Sequence, residues 1–207
     1  MRSLCEELRI TTMRLFLAIN LDGPTTRILA SCQQPLRQCA EARLSFPGHF
    51  HLTLKFLGDV EPAQLPLLRQ ALSPIRFAPF RLSLAALGSF PGRGKPRVIW
   101  IGVSPWAPLN ALQQQIETQL SGLFPADASF HPHLTLARIK QLNNRAALNK
   151  ALQQCPPINH RIEVQELSLL RSHLERSGAR YETLLTIPAT LEENEPHCSI
   201  DPTNGTC

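Results

Sequence analysis

Apolar and polar residues alternate with a period of two in several short runs of this chain, and the segments between those runs carry apolar residues at helical spacing. Residues 14–19 are the first run that reads as a strand. Asp22, Gly23, Pro24 and Thr25 form a turn and helix-start signal, and Ile28, Leu29 and Leu36 predict a surface helix to about residue 39. A strand ending at Gly58 follows, then a helix over 61–72 with Leu65, Leu68 and Leu72 on one face, and a strand over 80–84. Gly88, Pro91, Gly92, Gly94 and Pro96, interspersed with Arg93 and Lys95, predict a mobile basic loop over 88–96. A strand over 97–103 and a helix over 108–120, with Leu109, Leu112, Ile116 and Leu120 on its face, come next. The remainder reads as a strand around residue 134, a helix over 144–153, and strands over 162–174 and 180–187 joined near Ser177 and Gly178. Each half thus sets helices beside a few strands. That order predicts an α+β fold of two similar lobes, with mainly antiparallel sheets, helices outside and a central cleft.

Two of the strands carry the same tetrapeptide, His51-Leu52-Thr53-Leu54 and His133-Leu134-Thr135-Leu136. Successive strand residues face opposite ways, so His51 and Thr53 share one face, His133 and Thr135 share another, and the leucines face a core. A core strand has no packing reason to choose histidine and threonine twice. Two imidazoles can serve as one acid and one base near neutral pH, and two hydroxyls can hold the oxygens of a group between them, which points to proton transfer at a phosphate. His49 and His131 lie two residues earlier and compete for the same roles, although Pro132 disturbs the alternation before His133. Pairs such as His131 with His133 raise the question of metal ligation. No carboxylate or thiol lies beside either motif on the expected face, so no metal is expected.

Composition narrows the partner class. Residues 1–191 hold 21 Lys and Arg against 12 Asp and Glu, a charge of +9, whereas residues 192–207 hold Glu192, Glu193, Glu195 and Asp201 and no cation. The excess of cations favours nucleic acid or nucleotide phosphates, with a merely solvated basic surface as the plain alternative. Cys5, Cys32, Cys39, Cys155, Cys198 and Cys207 are scattered without a ligand or disulfide spacing, and no run has the length of a membrane span or the form of a signal peptide. A cytoplasmic setting, no membrane and no obligate protein partner are the expectations. Residues 1–12 read as an N-terminal extension, 13–190 as one bilobal domain, and 191–207 as an acidic, disordered tail.

The segments His51 to Gly58 and His131 to Arg138 resemble the paired HxT motifs of the 2H phosphoesterases, and in particular the RNA 2′,3′-cyclic phosphodiesterases once called 2′-5′ RNA ligases. The resemblance covers roughly residues 13–190. It implies two lobes related by a pseudo-twofold axis around a basic cleft, no cofactor, and the opening of RNA or nucleoside 2′,3′-cyclic phosphates to 2′-phosphates. It also assigns roles: His51 as proton donor to the leaving 3′ oxygen, His133 as the base toward water, and Thr53, Thr135 and Arg138 as phosphate-binding residues. Strict alternation turns Arg138 away from His133, so a bend or a strand end is required for that role. Alternation puts Lys55 beside His51 and Thr53, where relatives carry a small residue, and makes it a further phosphate-binding candidate, against the plain reading of a surface lysine. Phe16, Phe90 and Tyr181 are candidates for stacking a base, against ordinary core packing as the plainer reading of each. Reversal of the reaction to form a 2′-5′ linkage and a noncatalytic RNA-binding module are the alternative functions.

Overall fold

The computed structural model describes residues 12–92, 95–156, 158–175 and 178–190, so the acidic tail at 191–207 and residues 1–11 of the expected extension lie outside the described residues. The chain opens with β1 (Met13–Asn20) and α1 (Gly23–Arg37). Asp22 caps that helix by accepting the Thr25 backbone N–H at 2.7 Å, with Pro24 in the first turn, where a missing N–H costs nothing. A short strand that alternation did not reveal, β2 (Ala42–Ser45), precedes β3 (His51–Val60), which leads through a single 3₁₀ turn at Pro62–Gln64 into α2 (Leu65–Leu72). The second half runs β4 (Phe80–Gly92), β5 (Lys95–Ser104), α3 (Ala107–Leu120), β6 (His133–Leu142) and α4 (Arg145–Gln153), the last capped by Asn144. Three strands finish the fold: β7 (Arg161–Val164), β8 (Glu166–Glu175) and β9 (Gly178–Pro188).

All the strands join one antiparallel sheet of nine, in the order β7-β4-β5-β6-β3-β1-β8-β9, with β2 alongside β6. The leucines of both tetrapeptides, Leu52, Leu54, Leu134 and Leu136, are at most 1% exposed and pack in one continuous core with Leu29 and Leu36 of α1, Leu68 and Leu72 of α2, Ile116 of α3 and Leu148 of α4. Among the described residues the buried apolar cluster on the opposite sheet face is small, consisting of Phe16, Ala18 and Leu170, with Tyr181 against it. Helices on one face leave the other open.

Two expectations are corrected. The segment read as a mobile loop is the end of a long hairpin, since β4 runs to Gly92 and β5 starts at Lys95, with Phe90 paired to Val98 and Gly88 to Trp100. Gly88 is there for space: a Cβ at that position would lie 2.3 Å from the Trp100 ring. The strand expected over 162–174 divides at Gln165, and its parts pair far apart in the sheet, β7 with β4 and β8 with β1. A single residue therefore joins the strand at one end of the strand order to the strand next to its other end. The sheet curls to allow it.

Candidate active site

β3 and β6 meet only at their beginnings, where Leu52 pairs with Leu134. Antiparallel register about that pair sets His51 across from Thr135 and Thr53 across from His133, all on the face opposite the helices. Two residues of rise along one strand and one spacing across place the Cα atoms of the two histidines roughly 8 Å apart on a diagonal. All four polar side chains are half-buried.

The strand alternation then breaks, in the same way in both motifs. On β3 the pairing steps from Thr53 opposite Ala18 to Lys55 opposite Leu17, leaving Leu54 as the extra residue, and on β6 it steps from Thr135 opposite Trp100 to Ala137 opposite Ile99, leaving Leu136. Each extra residue is a β-bulge, and the residues after it change faces. Arg138 is thereby returned to the face of His133 and Thr135, which is the bend its role required. Its charge is felt by both histidines and by Tyr181, and it forms no ion pair among the described residues.

The same bulge overturns the expectation for Lys55. Its side chain is turned to the helix face, is 0% exposed, and donates to Glu117 Oε1 and Oε2 at 2.9 and 2.8 Å and to the Pro125 carbonyl at 2.9 Å. It does not share a face with His51 and cannot reach a phosphate there. The residue that takes the place equivalent to Arg138 is Phe56, 64% exposed, its ring 6.0 Å from that of Phe16. Sequence reading passes over Phe56 because Phe56-Leu57-Gly58 reads as the apolar end of a core strand. Gly58, with φ at +75°, accommodates a second irregularity just beyond it.

Aromatic rings wall both imidazoles. The His51 ring lies 4.9 Å from those of Phe16 and Tyr181, and the His133 ring lies edge-on 4.7 Å from Phe90. Burial, aided by the charge of Arg138 and by His133 and His49, lowers the His51 pKa to about 4, so the imidazole is neutral at pH 7. Its Nδ1 is buried without a partner among the described residues. Burial also lowers the His133 pKa, opposed by a hydrogen bond between Nδ1 and the His131 carbonyl at 2.8 Å. Since a carbonyl only accepts, that contact puts the proton on Nδ1 and leaves Nε2 with a free lone pair. His131 is thus an orienting residue through its backbone, while its ring is boxed by Phe90, Trp100 and Trp106 at 5.1, 5.0 and 4.9 Å. His49 is exposed and, with Asn20, Phe50, His51, Tyr181 and Thr183, lines a cavity of about 240 Å³ on the His51 side.

Among the described residues no three His, Cys, Asp or Glu side chains converge as metal ligands do, and no helix is long and apolar enough to cross a membrane. A family model described as the 2′-5′ RNA ligase superfamily matches residues 34–176. The chain belongs to that superfamily. Its similar superfamily members include a protein of Aeropyrum pernix named RNA 2′,3′-cyclic phosphodiesterase, 39% identical over 145 residues that span 68% of this chain and 82% of the relative. One of Archaeoglobus fulgidus with the same name is 32% identical over 173 residues, 83% of this chain and 98% of the relative. Among solved superfamily structures, TT0787 of Thermus thermophilus aligns with a TM-score of 0.69 at 30% identity, covering 85% of this chain and 97% of that one. E. coli LigT complexed with 3′-AMP aligns with a TM-score of 0.65 at 26% identity, covering 87% and 99%.

Proposed function

We propose that this protein hydrolyses the 2′,3′-cyclic phosphate ends of RNA or of nucleotides to 2′-phosphates, with His51 and His133 as the proton-transfer pair. The observation that carries the reading is the meeting of β3 and β6 at Leu52 and Leu134, which gathers two imidazoles and two hydroxyls on one open sheet face. Relatives named RNA 2′,3′-cyclic phosphodiesterase support the substrate class.

Water attacks phosphorus on the His133 side, and its proton passes to Nε2, the nitrogen that the His131 carbonyl leaves free. The bond from phosphorus to the 3′ oxygen breaks in line, and His51 gives that oxygen its proton, leaving the phosphate on the 2′ oxygen. With its pKa lowered to about 4, His51 becomes the donor only as the anionic phosphate of the substrate offsets burial and the charge of Arg138. Thr53, Thr135 and Arg138 hold the non-bridging oxygens, where negative charge grows. Phe56 offers an exposed ring on the same face for a base of the RNA strand. The two-lobed unit at 13–190 suffices for this scheme, and the proton transfers call for no metal hydroxide.

Incubation with 2′,3′-cyclic AMP in chelator, with the product identified, tests the reading. Formation of the 2′-phosphate, and loss of at least about 10²-fold in rate in His51→Ala and in His133→Ala, is expected. A 3′-phosphate product, no turnover, or full activity in either variant would reject it. The reverse reaction, joining the cyclic end to a 5′-hydroxyl, uses the same groups but must outcompete water. A noncatalytic RNA-binding module would bind RNA unchanged with both histidines replaced and turn nothing over.

A further inference from the structure

Among the described residues Lys55 is the one charged residue in the core. Its three ammonium hydrogens are matched by three acceptor contacts, two to Glu117 and one to the Pro125 carbonyl, and Asp127 Oδ1 lies 3.9 Å away. Glu117 in turn accepts from Gln113 Nε2 at 2.8 Å and from the Asp127 backbone N–H at 3.4 Å. An apolar side chain would fill such a place at no desolvation cost, so an ion pair there is more readily understood as fixing an arrangement than as adding stability.

What it joins is β3, α3 and the connection 121–132, twelve residues without helix or strand that deliver the chain to β6. Its next-to-last residue is His131, whose carbonyl holds Nδ1 of His133. The sheet itself fixes the two motifs weakly, because β3 and β6 share one paired position. A slip of one residue between them would change the spacing of the imidazoles along the strands by about 3.4 Å.

We propose that Lys55 is a positioning residue: from the back of β3 it fastens the connection 121–132 through Glu117 and Pro125, and so sets where His133 stands relative to His51. It touches no substrate. The inference rests on the two-histidine reading, and an experiment can separate the two. The double variant Lys55→Met/Glu117→Met removes the pair without stranding a charge. It is compared with wild type by thermal unfolding, by kinetics on 2′,3′-cyclic AMP, and by ¹⁵N NMR of the histidine rings. A folded protein is expected with kcat lowered about 10- to 100-fold and KM within about two-fold. The His133 signals should move from a single Nδ1-protonated form toward an average of both tautomers. Wild-type kcat together with an unmoved His133 spectrum overturns the proposal. Should the double variant not fold, Glu117→Gln, which keeps the side-chain size and an acceptor oxygen, is judged by the same two measurements. If wild type itself shows no turnover, the hydrolase reading fails and the His133 spectrum alone decides the positioning role.

Discussion

Flanked by Phe16 and Tyr181, the His51 imidazole is set by its surroundings to lose its proton at about pH 4 rather than near 6.5, and burial pulls His133 in the same direction. The active form needs one ring protonated and one neutral. In the free enzyme that form is most abundant between the two pKa values, so the bell of kcat/KM against pH is expected on the acid side of 6.5, with one limb near 4. A bound phosphate anion favours imidazolium, and the bell of kcat therefore moves to higher pH. Coincident profiles, or a kcat/KM optimum above pH 7, would contradict this account of the site. Phe56 makes a different prediction. Phe56→Ala should raise KM for an RNA oligonucleotide with a cyclic end by about ten-fold or more, the size of one lost base stack, and leave 2′,3′-cyclic AMP little affected if the stacked base belongs to the preceding nucleotide. The histidines and threonines are legible in the sequence because their leucine neighbours mark the buried face unambiguously. Phe56 is not, because an exposed phenylalanine inside an apolar run looks like any core residue.

At the scale of elements, two bulges decide which side chains face the site. Leu136 and Ala137 are both 0% exposed, and a pair of adjacent buried residues is how a bulge reports itself in a strand. In the sequence that pair is visible as an apolar doublet, and the role of Arg138 accordingly requires a bend. The first motif hides the same event because its doublet is Leu54 and Lys55, and a lysine argues against burial until its partner Glu117, 62 residues away, is known. Inserting one alanine between Ala137 and Arg138 should shift the alternation after the bulge by one position and turn Arg138 toward the helices. The expected result is a loss of kcat/KM at least as large as in Arg138→Ala, with lowered stability from an unpaired buried cation, read by steady-state rates and thermal unfolding. Equal activity in the insertion variant and in wild type would mean that the strand register after the bulge does not place Arg138. The hairpin of β4 and β5 is hidden for a related reason, since Gly88 serves the Trp100 ring and not a turn.

On the scale of the whole molecule, the +9 charge of residues 1–191 extends well beyond the few groups at the phosphate. If the cations guide a strand and not just its terminal nucleotide, KM for a cyclic-ended oligonucleotide should climb with salt more steeply than KM for 2′,3′-cyclic AMP, by about 0.7 in logarithmic slope for each additional phosphate held. Equal slopes would confine recognition to the last nucleotide. The α+β class is readable from the order of periodic segments, while the strand order is not, because pairing is chosen by burial across distances that no local pattern records. Gln165 is the plainest case: it hands the chain from β7, at one margin of the sheet, to β8, beside the other margin. A clasp that short has no slack. Lengthening it by a few residues is expected to loosen how the two arms of the sheet are held together without altering any side chain of the candidate site, so a glutamine remote from the chemistry bears on its geometry.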